Sequence, residues 1–164
     1  MAMELWVLSD KQLNSIGDWQ TAISAAGFPL TLSDQTSFAK LNGFVPAHLR
    51  GKATGFECSH WSAREFMRDF SDVDFGHEWK YVVAFRWRAN FDELRAAWIA
   101  GAAYAQATNG IVFDDQEGKV RNAAEAREIA RREFEAPDPN IGAAIDKANH
   151  AEEPTITITV RVLK

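Results

Sequence analysis

Cysteine is nearly absent from this chain of 164 residues, since Cys58 is the only one. A disulfide framework within the chain is therefore excluded, and a lone thiol agrees with a reducing compartment. Long apolar runs are also missing. Near the start, the run Leu5–Leu8 is too short for a secretory signal, and no segment approaches the roughly 20 apolar residues of a membrane span. We therefore expect a cytoplasmic protein that does not associate with a membrane.

A basic stripe is the second missing feature. Lysine and arginine number 18 against 23 acidic residues, which gives a formal net charge of −5. Proteins that bind nucleic acid through its phosphates concentrate lysine and arginine on one face. The charge distribution therefore disfavours a nucleic-acid partner.

Apolar and aromatic residues are plentiful. They include six Trp and eleven Phe, and apolar residues make up 46% of the sequence. This composition is typical of a soluble globular domain and excludes intrinsic disorder. A chain of this length can bury roughly 70% of its unfolded surface, which is enough for a core of its own.

The hydrophobic pattern predicts alternating strands and helices. Residues 90–108 form the longest predicted helix, with apolar positions on several sides and Gly110 as its expected stop. Shorter helices are predicted to begin at Ser15 and Ser62. Strands are predicted at 4–9, 28–32, 52–59, 80–88 and 111–113, whereas 33–51 is expected to be a loop with one helical turn. The predicted fold class is α+β, a mainly antiparallel sheet with the helix of about 90–108 buried against one face.

The domain organisation follows from a break near residue 137. Residues 1–136 are expected to form a single α+β domain. Residues 137–164 begin with two prolines and continue as a linker with a weak helix at 141–148. Strict alternation from Thr155 to Leu163 then predicts a strand that joins a sheet edge, either within the chain or in a homodimer.

Motifs for cofactors and metals fail on inspection. No phosphate-binding glycine loop or nucleophile elbow is present, and the segment from His77 to Tyr81 lacks the second histidine of a zinc-protease helix. Asp72 and Asp74 lack the further spaced ligands of a calcium loop. Cys58 and His60 share a strand face and could bind a metal ion together with His77 or Glu57, but one cysteine and scattered histidines usually pack in the core or lie on the surface. We expect neither a cofactor nor a metal ion.

One enzymatic alternative rests on acid–base chemistry. Glu57, His60 and His77 have the side chains of general acids and bases, provided that a cleft brings them together and shifts their pKa values toward neutrality. A small acid–base or metal-assisted enzyme centred on these three residues is therefore the alternative function.

The segment 69–79 is the main candidate for a binding surface. Acidic and aromatic residues interleave there, and no lysine or arginine lies between Ser71 and Trp79. Aromatic residues anchor interfaces, and complementary charge steers a basic partner onto an acidic surface. The predicted partner-binding residues are Asp72, Asp74, Phe75, His77, Glu78 and Trp79.

Two stretches carry a resemblance to a known group of proteins. They run from Gly43-Phe44-Val45-Pro46 through Gly55-Phe56-Glu57, and from Ala103-Tyr104-Ala105 through Gly110-Ile111-Val112-Phe113-Asp114. Both are similar to small bacterial proteins that resemble the immunity partners of polymorphic toxins. The resemblance implies a non-enzymatic inhibitor, made in the cytosol, that neutralises a toxin by stoichiometric binding. The expected function is therefore a protein-binding module whose partner is a protein with a basic surface.

Overall fold

Seven strands and four α-helices make up the part of the chain that the structure, a computed structural model, describes, namely residues 3–33 and 37–138. The strands are β1 (Met3–Ser9), β2 (Leu30–Leu32), β3 (Gly43–Leu49), β4 (Lys52–Trp61), β5 (Tyr81–Trp87), β6 (Ile111–Asp114) and β7 (Lys119–Asn122). The helices are α1 (Ile16–Ala25), α2 (Ala63–Asp69), α3 (Phe91–Thr108) and α4 (Ala123–Glu135). A short 3₁₀ turn spans Phe38–Lys40.

The strands form one sheet in the order β2-β3-β4-β5-β1-β6-β7, and every pair of neighbours is antiparallel. Strand β1 lies between β5 and β6, and its residues Leu5–Leu8 are buried on both faces of the sheet. A strand covered on both faces has a continuous apolar run rather than an alternating one. The predicted α+β class with an antiparallel sheet is confirmed.

Helix α3 covers the first face of this sheet. The side chain of Asn90 accepts hydrogen bonds from the main-chain N–H groups of Asp92 and Glu93, which satisfies two donors at the helix start. Gly101 lies so close to β1 that an added Cβ would be 2.7 Å from a methyl carbon of Leu5. Small residues along α3 therefore let helix and sheet approach closely, and the predicted burial of this helix is confirmed.

The second face of the sheet is covered over only part of its width. Trp6, Leu8 and Phe113 point to this side and pack with Phe66 of α2 and Phe75 of the loop that follows α2. These contacts cover β1 and β6 and reach into β5. On β3 and β4, the residues on the same face remain exposed or half-buried, except Gly55, which the Phe44 ring covers.

One local prediction was wrong. Residues 43–49, expected to be a loop, form strand β3, whose alternate residues Val45, Ala47 and Leu49 are buried. Helix α3 ends at Thr108, as predicted, but Gly110 is not the residue that takes the left-handed conformation behind it. Asn109 takes that conformation, with φ of 53°, and Gly110 follows it.

The chain divides into a unit of residues 1–134 and a second unit of residues 135–164. The predicted helix at 141–148 and the predicted strand from Thr155 to Leu163 lie outside the described residues, as does any dimer contact through that strand. Among the described helices, none has the length and apolar character that crossing a membrane requires.

Candidate protein-binding surface

The loop between α2 and β5 contains all six predicted partner-binding residues. Ser62 caps α2 by accepting a hydrogen bond from the N–H of Glu65, as its capping motif predicts. After the helix, the carboxylate of Asp74 accepts a hydrogen bond from the N–H of Gly76, and Gly76 has φ of 90°. This turn reverses the chain and separates the loop into a first limb, residues 70–74, and a second limb, residues 77–79.

Phe75 lies at the tip of this turn and points into the protein. It is 7% exposed, and its ring is 5.6 Å from Phe66 and 5.5 Å from Phe113 between centroids. The expectation that Phe75 faces a partner therefore does not hold in this structure. Its role is to anchor the loop to the second face of the sheet.

The second limb contains His77, Glu78 and Trp79. The Nε2 atom of His77 is 2.9 Å from a carboxylate oxygen of Asp10, and the imidazole lies 3.8 Å from the Trp79 ring. Trp79 is half-buried, and its indole N–H donates to the carbonyl of Phe75 at 2.8 Å. Glu78 is exposed. These contacts hold the limb beside the end of β1.

The first limb borders a concavity of about 740 Å³. The opposite wall is the turn between β6 and β7. Between the two walls lies an apolar floor of half-buried to buried side chains, to which the loop contributes Phe70 and Val73 and the two strands contribute Phe113 and Val120. Four exposed carboxylates surround this floor, and none of them is in an ion pair with another described residue. They belong to Asp72, Asp74, Asp115 and Glu125. We call this region the acidic concavity.

Two cations also line the acidic concavity, and both are in ion pairs with the single carboxylate of Glu117. Five carboxylates, Glu117 included, thus stand against two cations. The Lys119 ammonium is 3.6 Å and the Arg121 guanidinium 2.5 Å from the carboxylate of Glu117. The turn itself is shaped by Asp114, whose carboxylate accepts hydrogen bonds from the N–H groups of Gln116 and Glu117. The uncompensated charge of the concavity is therefore negative.

Asp72 and Asp74 are the predicted residues that lie in the acidic concavity, whereas Asp115 and Glu125 were not predicted to belong to a site. The four come from three separate segments of the chain. The pairing of β6 with β7 brings the segments of Asp115 and Glu125 together, and the packing of Phe70 and Phe75 on Phe113 brings the loop to them. A signal was present in the pair Asp114-Asp115, which follows a buried strand and precedes a turn. No pattern in the sequence, however, indicates that this turn lies opposite the loop that follows α2.

The alternative centre of Glu57, His60 and His77 is not assembled. Glu57 and His60 are three residues apart on β4 and therefore point to opposite faces of the sheet. The Nε2 atom of His60 contacts the carbonyl of Phe38 at 2.9 Å, while His77 contacts Asp10. Among the described residues, no group of three or more His, Cys, Asp or Glu side chains could hold a metal ion.

Cys58 is buried in the core and shares the first face of the sheet with His60. Burial raises the pKa of the Cys58 thiol far above its ordinary range, because the charged thiolate would lose its hydration. The thiolate is the nucleophile and the metal ligand, so the thiol at this position is chemically inert.

The exposed half of the second face presents residues that were not predicted to belong to an interface. Phe44 is 55% and Trp61 is 48% exposed. The register of the strands places Phe44 in a row of directly opposed residues that crosses β3, β4, β5 and β1. The other members of this row are Glu57, Arg86 and Glu4. The Arg86 guanidinium is 2.7 Å from the Glu4 carboxylate and 5.7 Å from the Trp61 ring. We call this region the open sheet face.

Comparisons of the chain with protein-family models, with curated proteins and with solved structures found no match.

Proposed function

We propose that this protein is a cytoplasmic protein-binding module that neutralises a toxin by stoichiometric association, in the manner of an immunity protein. The observation that carries the proposal is the acidic concavity, which combines an apolar floor with a rim of four carboxylates. Protein interfaces have this anatomy, since an apolar centre supplies desolvation and a polar rim supplies orientation. The partner's contact surface is basic.

Electrostatics support a fast encounter with such a partner. The four carboxylates of the acidic concavity converge on one opening, and its two cations are already paired with Glu117. Clustered charge of one sign steers a complementary protein and raises the association rate, most of all at low salt. An inhibitor that must reach its target before the target acts gains from this acceleration.

Phe70 and Val73 form the side of the apolar floor that belongs to the loop. Both are half-buried and pack against the buried residues on the second face of the sheet. Their solvent-exposed surface is therefore held in place before a partner arrives. A preorganised surface loses less conformational entropy on binding than a mobile one. The concavity can therefore accept a protruding side chain of the partner without refolding.

The test is co-expression with a toxin encoded beside the gene in the native host. The wild-type chain should protect the cell and copurify with the toxin in a one-to-one complex. Asp72→Asn with Asp74→Asn should weaken that complex, whereas Asp18→Asn with Glu128→Gln removes the same charge from exposed helical positions elsewhere and should not. A neighbourhood that encodes no toxin, or an equal loss in both double variants, would contradict the proposal.

A further inference from the structure

The two edge strands of the sheet, β2 and β7, differ in how their outer sides are covered. An edge strand leaves a row of main-chain N–H and C=O groups without a neighbouring strand. At β2, the side chain of Gln20 on α1 occupies this place. Its amide N–H donates to the carbonyl of Leu30 at 2.9 Å, and its amide oxygen accepts from the N–H of Leu32 at 2.8 Å. Gln20 thus makes the two hydrogen bonds that a further strand would make, and it closes this edge.

The outer edge of β7 has no comparable cover. Strand β7 pairs with β6 alone, so alternate residues direct their main-chain groups away from the sheet. Within the described ranges 3–33 and 37–138, no side chain or loop forms a hydrogen bond with the main chain of residues 119–121 on that side. Of the two edges, β7 is therefore the one that the described residues leave open to a further strand.

This open edge borders the acidic concavity. The four consecutive residues 118–121 all line it. Because the side chains of a strand alternate between the two faces of a sheet, a site on one face alone would be lined by every second residue. A consecutive run indicates instead that the concavity extends along the side of the strand. The first limb of the loop, with Asp72 and Asp74, lies across from that side.

The surroundings of the edge select the chemistry of an added strand. Side chains on the face of Val120 would lie over the apolar floor, which Phe70 and Val73 extend. The four rim carboxylates lack ion pairs with other described residues, so charge complementarity favours lysine or arginine at the positions that do not face the floor. The pattern that fits is therefore an alternation of apolar and basic residues.

We propose that the partner binds by adding an extended segment of this pattern to β7, as an eighth strand of the seven-stranded sheet. In this mode, main-chain hydrogen bonds supply affinity and alternate side chains supply specificity. Because β7 spans only four residues, its edge offers few hydrogen bonds, and the acidic rim selects the partner. The inference rests on the proposed function for the identity of the partner, a basic toxin, and specifies how that partner is held.

The probe is a synthetic peptide of about seven residues in which valine and lysine alternate, a length typical of a strand. Amide hydrogen exchange of the full chain, followed in a nitrogen–proton correlation spectrum, reports pairing at β7. In the free protein, alternate amides of residues 119–122 should exchange fast, whereas Gln20 should protect the amide of Leu32. The peptide at saturation should slow the fast amides of β7 at least about tenfold and leave Leu32 unchanged.

Two peptide controls separate strand addition from charge attraction alone. Replacement of each lysine by glutamate should weaken binding at least about tenfold, because the rim is acidic. Methylation of main-chain nitrogens tests the hydrogen bonds, since the N–H groups of successive residues in a strand point to opposite edges. Two isomers, one methylated at its valines and the other at its lysines, carry the same side chains. One isomer should lose binding and the other should retain it.

Gln20→Ala tests the contrast between the two edges. The substitution uncovers β2, so the amide of Leu32 should exchange at least about tenfold faster while β7 is unaffected. Thr21→Ala is the matched control, because Thr21 is the exposed neighbour of Gln20 and its hydroxyl donates only within α1, to the carbonyl of Gly17. Equal exchange of Leu32 in the two variants would mean that Gln20 does not close β2, and the choice of β7 would lose its basis.

Three results would overturn the proposal. The first is slow exchange of every amide of β7 in the free protein, which would show that the edge is already paired, whether by residues 155–163 or by a second copy of the chain. The second is a peptide that leaves exchange at β7 unchanged, and the third is equal binding of the two methylated isomers. None of these measurements requires a toxin. A one-to-one toxin complex in which the outer amides of β7 still exchange fast would keep the proposed function and refute the strand addition.

Discussion

The indole N–H of Trp19 donates a hydrogen bond to the main-chain carbonyl of Ala100 at a distance of 3.0 Å. Trp19 belongs to α1 and Ala100 to the middle of α3, and both are fully buried. The Trp19 ring also has edge contacts with four aromatic side chains, at centroid distances of 5.5 to 5.9 Å. They are Phe38, Phe56, Phe85 and Tyr104. One side chain thus connects both helices to the sheet.

Trp19→Phe should lower the free energy of unfolding by about 2 kcal/mol, because the smaller ring loses the hydrogen bond and leaves a cavity. Urea unfolding followed by circular dichroism measures the change. Trp61→Phe is the control at an exposed tryptophan and should change the free energy by less than about 0.5 kcal/mol. Equal effects at the two positions would contradict the central place of Trp19 in the core.

Gly110→Ala should destabilise the protein by about 1–3 kcal/mol, the range for an overpacked core. An added Cβ would lie 2.4 Å from the carbonyl oxygen of Leu8, which is backbone of the interior strand β1 and cannot move aside easily. Thermal unfolding provides the measurement.

Gly17→Ala is the matched control for that substitution. Gly17 lies in the first turn of α1, and its added Cβ would meet nothing closer than the Ser15 hydroxyl at 3.6 Å. Alanine forms helices better than glycine, so this variant should be stabilised by up to about 1 kcal/mol. If Gly110→Ala unfolded at the same temperature as the wild type, the connection between α3 and β6 would be able to move away from β1 and make room for the added methyl group.

Strand β3 shows why part of the fold could not be predicted. Gly43, Pro46 and Gly51 are residues that interrupt strands, and they obscured the alternation of Val45, Ala47 and Leu49. Proline is tolerated here because the carbonyl of Pro46 faces Ser33, just beyond the end of β2, so its missing N–H removes no bond of the sheet. Only the pairing of β2 with β3 reveals this.

Helix α3 was predicted more fully, because its long apolar pattern and its Asn90 cap are local signals. Its predicted end at 108 is confirmed, with Asn109 rather than Gly110 in the left-handed conformation directly after it. Asn109 and Gly110 both tolerate a left-handed conformation, and the close approach of Gly110 to Leu8 explains why glycine is needed at the second position instead. The acidic loop was likewise visible in the sequence, but the burial of Phe75 depends on Phe66 and Phe113, which are distant along the chain.

Alkaline pH should destabilise this protein through two buried acids. Burial raises the pKa of Cys58 and of Tyr104 in the folded chain, so above about pH 9 the unfolded chain holds fewer protons than the folded one. The free energy of unfolding therefore falls as pH rises, by up to about 1.4 kcal/mol per pH unit for each group. Urea unfolding at a series of pH values measures this slope.

The double variant Cys58→Ala with Tyr104→Phe isolates these two groups from the lysines, which also titrate at high pH. It should be less stable near neutral pH, because the thiol leaves a cavity, yet its stability should fall less steeply above about pH 9. Parallel profiles for wild type and double variant would show that neither group titrates differently in the two states.

Asp72→Asn with Asp74→Asn should slow association with a basic toxin and reduce the dependence of the association rate on salt. The substitution keeps the turn intact, because an asparagine side-chain oxygen can still accept the hydrogen bond from Gly76. It removes two of the four rim carboxylates, whose attraction acts over roughly 10 Å at 0.1 M salt. Charges at a rim act mainly on the association rate, so dissociation should change little. Stopped-flow mixing at several salt concentrations separates the two rates.

The control variant Asp18→Asn with Glu128→Gln changes the net charge of −5 by the same two units. Its positions are exposed on α1 and α4, and the buried residues of these two helices pack on the first face of the sheet. If both double variants lose the same rate at every salt concentration, overall charge rather than the acidic concavity guides the encounter.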